Sequence, residues 1–326
     1  RLLTLGKTIF PIRFLKFLFF TDLFITPHMN SKKPPGSYSI HVFHNQPIKY
    51  LSYPLECLKE IDEHFVWGPL MHEWIDNMLK FHSLNTKITP IGNPRIDNFF
   101  KNYTNHKPDE FKNKIRIGYA PSWDEGLSLS VDGLNIIKYI SNIESSQLFL
   151  RLHPCSLISP LHDEYTFYTG NKNWIKSIEE LELENLELSH NISTIEYLSN
   201  IDLLITDLSS ISLEAFLFDL PVIFYHTSQF WSSYYSGEYR NYCLNNTNNA
   251  IELKNNDYIN GGRIGGIVVD QIPELVDTIN NIKNSSDKSN ERRKIFKNKL
   301  VYNQGISSTF VKKRINSLLF SMTINS

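Results

Sequence analysis

The chain has 326 residues, with 33 Lys plus Arg against 34 Asp plus Glu, a formal net charge of -1, 41% hydrophobic and 13% aromatic residues. Disordered chains have fewer aromatics and more charge, so this composition excludes that class, and the balanced charge excludes a bulk electrostatic field for nucleic acid. The length exceeds what one core usually fills, so two domains are expected.

The three cysteines, Cys57, Cys155 and Cys243, share no CxxC spacing. That argues against a disulfide framework or a structural zinc site and fits a reducing cytosol. No secretory signal is read. The sequence opens on Arg1 rather than Met, so preceding sequence is expected.

In chain order, residues 9–26 are the most apolar stretch, but Pro11, Arg13, Lys16 and Asp22 interrupt it, so it is not read as a membrane span. A helix is expected over 14–20 and short strands over 23–25 and 39–43. Residues 70–81 carry Met71, Trp74, Ile75 and Met78 at helical spacing. A strand over 87–91 precedes the turn Gly92-Asn93-Pro94. Residues 102–113, rich in Lys and Asn and containing Pro108, are the expected linker. They divide the chain into an acceptor-side domain, 1–106, and a nucleotide-donor-binding domain, 107–326.

The second half is more regular. Strands are expected over 115–120, 147–152, 186–189, 202–206 and 221–225, with helices over 134–143, 192–200 and 209–219 between them. Residues 202–206 are apolar on both faces, as in parallel strands. Alternation of this kind implies βαβ units, a parallel sheet and ligand binding beyond the carboxyl ends of the strands. Residues 289–300 and 307–320 are expected to be helices. The glycine-rich run 260–266 reads as a loop, and there is neither a GxxxxGK[ST] nor a GxGxxG motif.

Chemistry is therefore sought just after each strand. Thr206-Asp207-Leu208-Ser209-Ser210 follows a buried strand and opens a helix, a suitable place for a phosphate. The plainer alternative is that Asp207 or Ser209 merely caps that helix. Glu214, one turn on, either answers the helix dipole or accepts from ribose hydroxyls. Arg151 and His153 share one strand face, where they could hold a phosphate and donate a proton; a structural Arg–carboxylate pair is the alternative. His44 follows the strand over 39–43 and could be a general base. His41 falls on the other face, which disfavours a metal pair, and the remaining histidines, His64 among them, show no ligand spacing. Arg95, after Gly92 and Asn93, could reach a phosphate across a cleft. Tyr119 and Trp123, flanking Pro121, could stack on a base or simply pack.

Taken together, these segments resemble the CDP-glycerol glycerophosphotransferase family, the teichoic-acid primases and polymerases with a GT-B fold. Phe43-His-Asn-Gln-Pro-Ile-Lys49 is similar to a WHGTPLK-like segment, and Gly92-Asn-Pro-Arg-Ile-Asp97 to GYPRND. Tyr119-Ala-Pro-Ser-Trp-Asp124 resembles YAPTWR, Arg151 to Pro154 match RxHP, Asp202 to Ile211 match DLLITDYSSI, and Gly265 to Val269 resemble the family's PGxVV tail. The resemblance implies an α/β fold of two Rossmann-like domains facing across a cleft. It implies a transferase at the cytoplasmic face that moves a polyol phosphate from a CDP-activated donor to a hydroxyl of a surface polymer or its lipid-linked precursor, releasing CMP. His44 would be the base. His153 and Arg151 would hold the transferring phosphate and CMP. Ser209 and Ser210 would bind the pyrophosphate, and Glu214 the ribose. Thr206, Asp207, Arg95, Asn93 and Pro121 complete the donor set, and no metal or cofactor is expected.

The departures from the family pattern surround this cleft: Asn45-Gln46 replaces Gly-Thr, Ile96 replaces Asn, and Asp124 replaces Arg. Three alternatives share the fold. One is a glycosyltransferase using a nucleotide sugar in capsule or lipopolysaccharide synthesis. Another is a nucleotide-sugar 2-epimerase, which needs paired carboxylates from among Asp97, Asp124 and Asp207. The third is an inactive nucleotide-binding partner. Separately, Arg1, Lys7, Arg13, Lys16, Lys32 and Lys33 lie among Phe and Leu, which predicts peripheral contact with anionic lipid.

Overall fold

The structure, a computed structural model, describes residues 21–27, 32–43, 46, 55–102, 113–123, 125–157, 172–229, 263–284 and 287–324. The helix expected over 14–20, most of the expected linker and residues 260–262 lie outside them.

The first sheet has the order β1 (Leu23–Thr26), β2 (Tyr38–Val42), β3 (Glu63–Val66), β4 (Lys87–Pro90), and every pairing is parallel. Helix α1 (Leu55–Lys59) leads into β3, and α2 (Pro69–Phe81) connects β3 to β4. Pro at the first position starts α2, and Leu70, Met71, Trp74, Ile75, Met78 and Leu79 form its buried stripe. A 3-10 turn (Pro94–Ile96) and α3 (Asp97–Asn102) follow β4.

The second sheet contains β5 (Ile115–Tyr119), β6 (Ser146–Leu150), β7 (Leu186–Leu188), β8 (Leu203–Thr206), β9 (Val222–Tyr225) and β10 (Ile267–Val269). Its order is β10-β9-β8-β5-β6-β7, again all parallel. Numbered from β5, that is the 3-2-1-4-5-6 order of dinucleotide-binding sheets, and the strand order reverses between β5 and β8. The intervening helices are α4 (Ser128–Ser141), α5 (Trp174–Glu179), α6 (Thr194–Ser199), α7 (Ile211–Leu217) and α8 (Ile272–Lys283). Beyond them come α9 (Asn290–Lys297) and α10 (Ser307–Ile324). No helix among the described residues is long and apolar enough to cross a membrane.

The division at 106/107 assigns α10 to the second unit, but its contacts are with the first sheet. Leu318 packs with Ile40, Phe65 and Ile91. Arg314 donates from Nε to Glu63 Oε1 at 2.8 Å and from Nη2 to Oε2 at 2.7 Å. Burial alone would raise the Glu63 pKa, but Arg314, Thr89 and Tyr38 all donate to the carboxylate and hold it below its usual value. Asp97 accepts from Ser307 N at 3.0 Å and Ser308 N at 2.6 Å, capping α10. Gly92 makes that approach possible: its φ is +92°, and a Cβ there would lie 2.2 Å from Ser307 Oγ. The chain returns across the halves where Leu70 N donates to Lys299 O at 2.9 Å and Tyr302 N to Trp67 O at 2.6 Å. Phe99 and Phe218 add a ring contact between the halves, with centroids 3.8 Å apart.

The neighbouring strands β2 and β3 bring together two histidines that show no ligand spacing in the sequence. His41 pairs with His64 in register, and their Nδ1 atoms are 3.4 Å apart. His64 is fully buried, and its Nε2 has no hydrogen-bond partner among the described residues. Burial first, and the neighbouring His41 second, pull the His64 pKa from 6.5 to about 3. Below pH 6.5 the unfolded chain takes up a proton that the folded chain refuses, so stability falls with pH at about 1.4 kcal/mol per unit. Between pH 7 and pH 5 wild type should therefore lose about 2 kcal/mol more unfolding free energy in urea than His64→Leu. Equal losses would contradict this account.

Candidate functional site

The strand order reverses between β5 and β8, so the crevice lies between the loops that follow them. Two backbone bonds align this edge: Ala120 N donates to Ile205 O at 2.9 Å and Arg151 N to Tyr119 O at 2.9 Å. Residues 120–123, 151–153 and 206–210 consequently emerge side by side.

Thr206 and Asp207 tie these loops together. Thr206 Oγ1 donates to Ala120 O at 2.7 Å. Asp207 Oδ1 accepts from Ser122 N at 2.9 Å and from Leu208 N at 2.6 Å. Its Oδ2 accepts from Ser128 N at 2.9 Å and Ser128 Oγ at 2.5 Å. Burial raises the Asp207 pKa despite these four bonds. Neither residue turns its side chain toward a ligand; both fix the loops that would meet one. Pro121 is buried. Tyr119, considered above as a stacking platform, is instead fully buried and donates to Ser128 Oγ at 2.9 Å. Trp123 is half-buried, with its ring centroid 5.9 Å from that of His153.

The start of α7 is not capped in the expected way. Ser210 occupies the N-cap with no side-chain cap bond, and Ser209 O accepts from the Ser212 hydroxyl at 2.7 Å. Ser209 and Ser210 are both half-buried. His153 uses Nδ1 to accept from Cys155 N at 3.2 Å, which caps the following 3-10 turn. In the neutral ring that bond leaves the proton on Nε2.

Among the described residues Arg151 is not in the carboxylate pair considered as its alternative. Its Nη1 donates to Ser189 O at 2.8 Å and Ile192 O at 2.7 Å. The guanidinium lies 5.5 Å from the Tyr197 ring centroid. Glu214, buried in α7, meets Arg95 from the first half, with Oε1 3.6 Å from Nη1. Its Oε2 is buried and has no hydrogen-bond partner among the described residues. Burial raises the Glu214 pKa, and the charges of Arg95 and Arg151 act against that rise. Asn93 accepts from Arg95 N at 3.2 Å and so sets the turn that carries Arg95 to the crossing.

His44, Asn45 and Asp124 lie outside the described residues. Gln46, two positions beyond His44, is buried and donates to Leu300 O at 3.4 Å, on the segment that crosses between the halves. Of the three carboxylates a 2-epimerase could pair, Asp97 caps α10 and Asp207 is bound into its loops. Among the described residues no cluster of three or more His, Cys, Asp or Glu could hold a metal. The residues that sequence reasoning did not single out are Ser122, which lies inside the YAPTWR-like segment, and Ser128 and Tyr197, neither of which lies in a chemically suggestive spacing.

Two parallel α/β units meeting at these strand ends define a GT-B-type fold. The sequence profile described as CDP-Glycerol:Poly(glycerophosphate) glycerophosphotransferase matches residues 69–317, and the chain belongs to that family. It is an enzyme of the glycerophosphotransferase class. Among solved structures it is similar to a histidine-to-alanine variant of the wall teichoic acid polymerase TagF, with TM-score 0.60 and 16% identity over 92% of this chain and 74% of that one. A histidine-to-asparagine variant of TagF soaked with CDPG gives TM-score 0.56 and 17% identity over 92% and 73%. S. aureus MnaA with UDP gives 0.51 and 15% over 87% and 70%. At these identities the likenesses show the fold. No curated protein matches the chain.

Proposed function

We propose that the enzyme transfers glycerol phosphate, or a closely similar polyol phosphate, from its CDP-activated form to a hydroxyl of a surface polymer or lipid-linked precursor. The acceptor oxygen attacks the β-phosphorus. The new O–P bond forms as the bond from that phosphorus to the bridging oxygen breaks, and CMP leaves with the electron pair. His44 takes the acceptor proton. His153 Nε2–H and Arg151 neutralise charge on the transferring phosphate and on CMP. The hydroxyls of Ser209 and Ser210 hold the diphosphate, Glu214 accepts from the ribose, and Arg95 reaches the donor from the opposite half. In-line phosphoryl transfer needs positioning and charge stabilisation above all, and these groups can supply both.

The observation that carries this reading is the state of His153 and Arg151 at the β6 edge. One imidazole has its donor nitrogen fixed by the bond at Nδ1, and one guanidinium is anchored by two main-chain carbonyls and a tyrosine ring. Catalysis on the cytoplasmic face, with the basic start of the chain from Arg1 to Lys33 touching anionic lipid, belongs to the same proposal. The experiment that tests it is the identity of the nucleotide released from CDP-glycerol, CMP being expected.

A further inference from the structure

The segment between β7 and the end of α6 contains no recognisable motif, yet three of its groups converge on one guanidinium. Ser189 O and Ile192 O both accept from Arg151 Nη1, at 2.8 and 2.7 Å. Tyr197 places its ring 5.5 Å from the guanidinium carbon. That ring is fully buried, and its hydroxyl donates to Phe149 O at 3.0 Å, on the strand that ends just before Arg151. Opposite it, Gly118 of β5 leaves the necessary room: a Cβ there would lie 2.7 Å from the Tyr197 hydroxyl and 2.6 Å from Ile201 Cδ1.

We propose that Tyr197 is a positioning residue that, with these two carbonyls, orients Arg151 toward the donor diphosphate. The inference rests on the reading of Arg151 given under Proposed function. Nη1 carries two hydrogens, and both are engaged by carbonyls. The fork left for bidentate recognition is therefore the Nε–Nη2 edge, and the orientation of that edge is set by the cradle. A carboxylate in place of the cradle would fix the guanidinium equally well but cancel its charge. Carbonyls and a π face hold the cation without pairing it to a carboxylate, so its charge is not cancelled by the groups that orient it.

The test is the affinity of the full chain for CDP-glycerol, measured calorimetrically with phenylalanine and stepwise fluorinated phenylalanines at position 197. Fluorination drains the ring face of negative charge with little change of volume, so the fold is kept and only the cation–π contact weakens. Tyr197→Phe should bind within about twofold of wild type, and affinity should then fall in steps to about tenfold weaker. In an Arg151→Gln background the same series should be flat. A flat series on the wild-type arginine, or equal steps in both backgrounds, overturns the role of Tyr197. Normal CDP-glycerol affinity in Arg151→Gln alone overturns instead the reading of Arg151 on which the inference stands.

Discussion

His44→Ala should lower turnover by about 10²–10⁴-fold, the usual worth of a positioned general base, while binding CDP-glycerol with nearly unchanged affinity. The split follows from the division of labour between the halves. In the proposed mechanism the donor is held by groups after β5, β6 and β8, whereas His44 follows β2 in the other half. An alkyl hydroxyl is a poor nucleophile at neutral pH until its proton has somewhere to go, and the imidazole is the only part of that chemistry the variant removes. Calorimetry and single-turnover kinetics on the same preparation separate binding from chemistry. Wild-type turnover by His44→Ala would remove this residue from the mechanism.

Asp207→Ala should have the largest effect on stability. It leaves the buried N–H groups of Ser122, Ser128 and Leu208 and the Ser128 hydroxyl without their acceptor. Each unsatisfied buried group costs about 1–3 kcal/mol, and with partial relaxation the loss should be on the order of 3–5 kcal/mol. That corresponds to a fall in melting temperature of about 10 °C. Turnover should fall as well, because the loops after β5 and β8 lose the carboxylate that registers them. A melting temperature within about 2 °C of wild type would show that these bonds are not what holds the loops.

The second sheet was legible because parallel strands buried on both faces read as short apolar runs, as in β8 and β9, punctuated by Pro121, Pro154 and Pro221. Residues after those strands could be found by the same logic. β3 was not legible: Glu63 and His64 make half of it polar, and both are buried only because of distant partners. Arg314 answers Glu63 from 251 positions away, and His41 answers His64 across a strand pairing. Asp97 read as a cleft acid for the same reason, since the helix start it caps lies 210 positions further on. Asp207 illustrates a different limit. Its place after a buried strand was apparent, but whether it faced a ligand or its own loops depended on bonds to Ser122 and Ser128, which one sequence does not report. The strand-end position of Arg151 was legible, whereas its anchors are two main-chain carbonyls and a core tyrosine, groups that no side-chain pattern reports.

Incubating the enzyme with CDP-glycerol and a hydroxyl-bearing primer, then resolving the nucleotide formed, addresses the core of this mechanism in one step. CMP appearing in equal amount with primer that has gained glycerol phosphate is the outcome required by attack at the β-phosphorus. CDP accompanied by transfer of glycerol alone, or an inert CDP-glycerol beside ready consumption of a UDP-sugar, would contradict it.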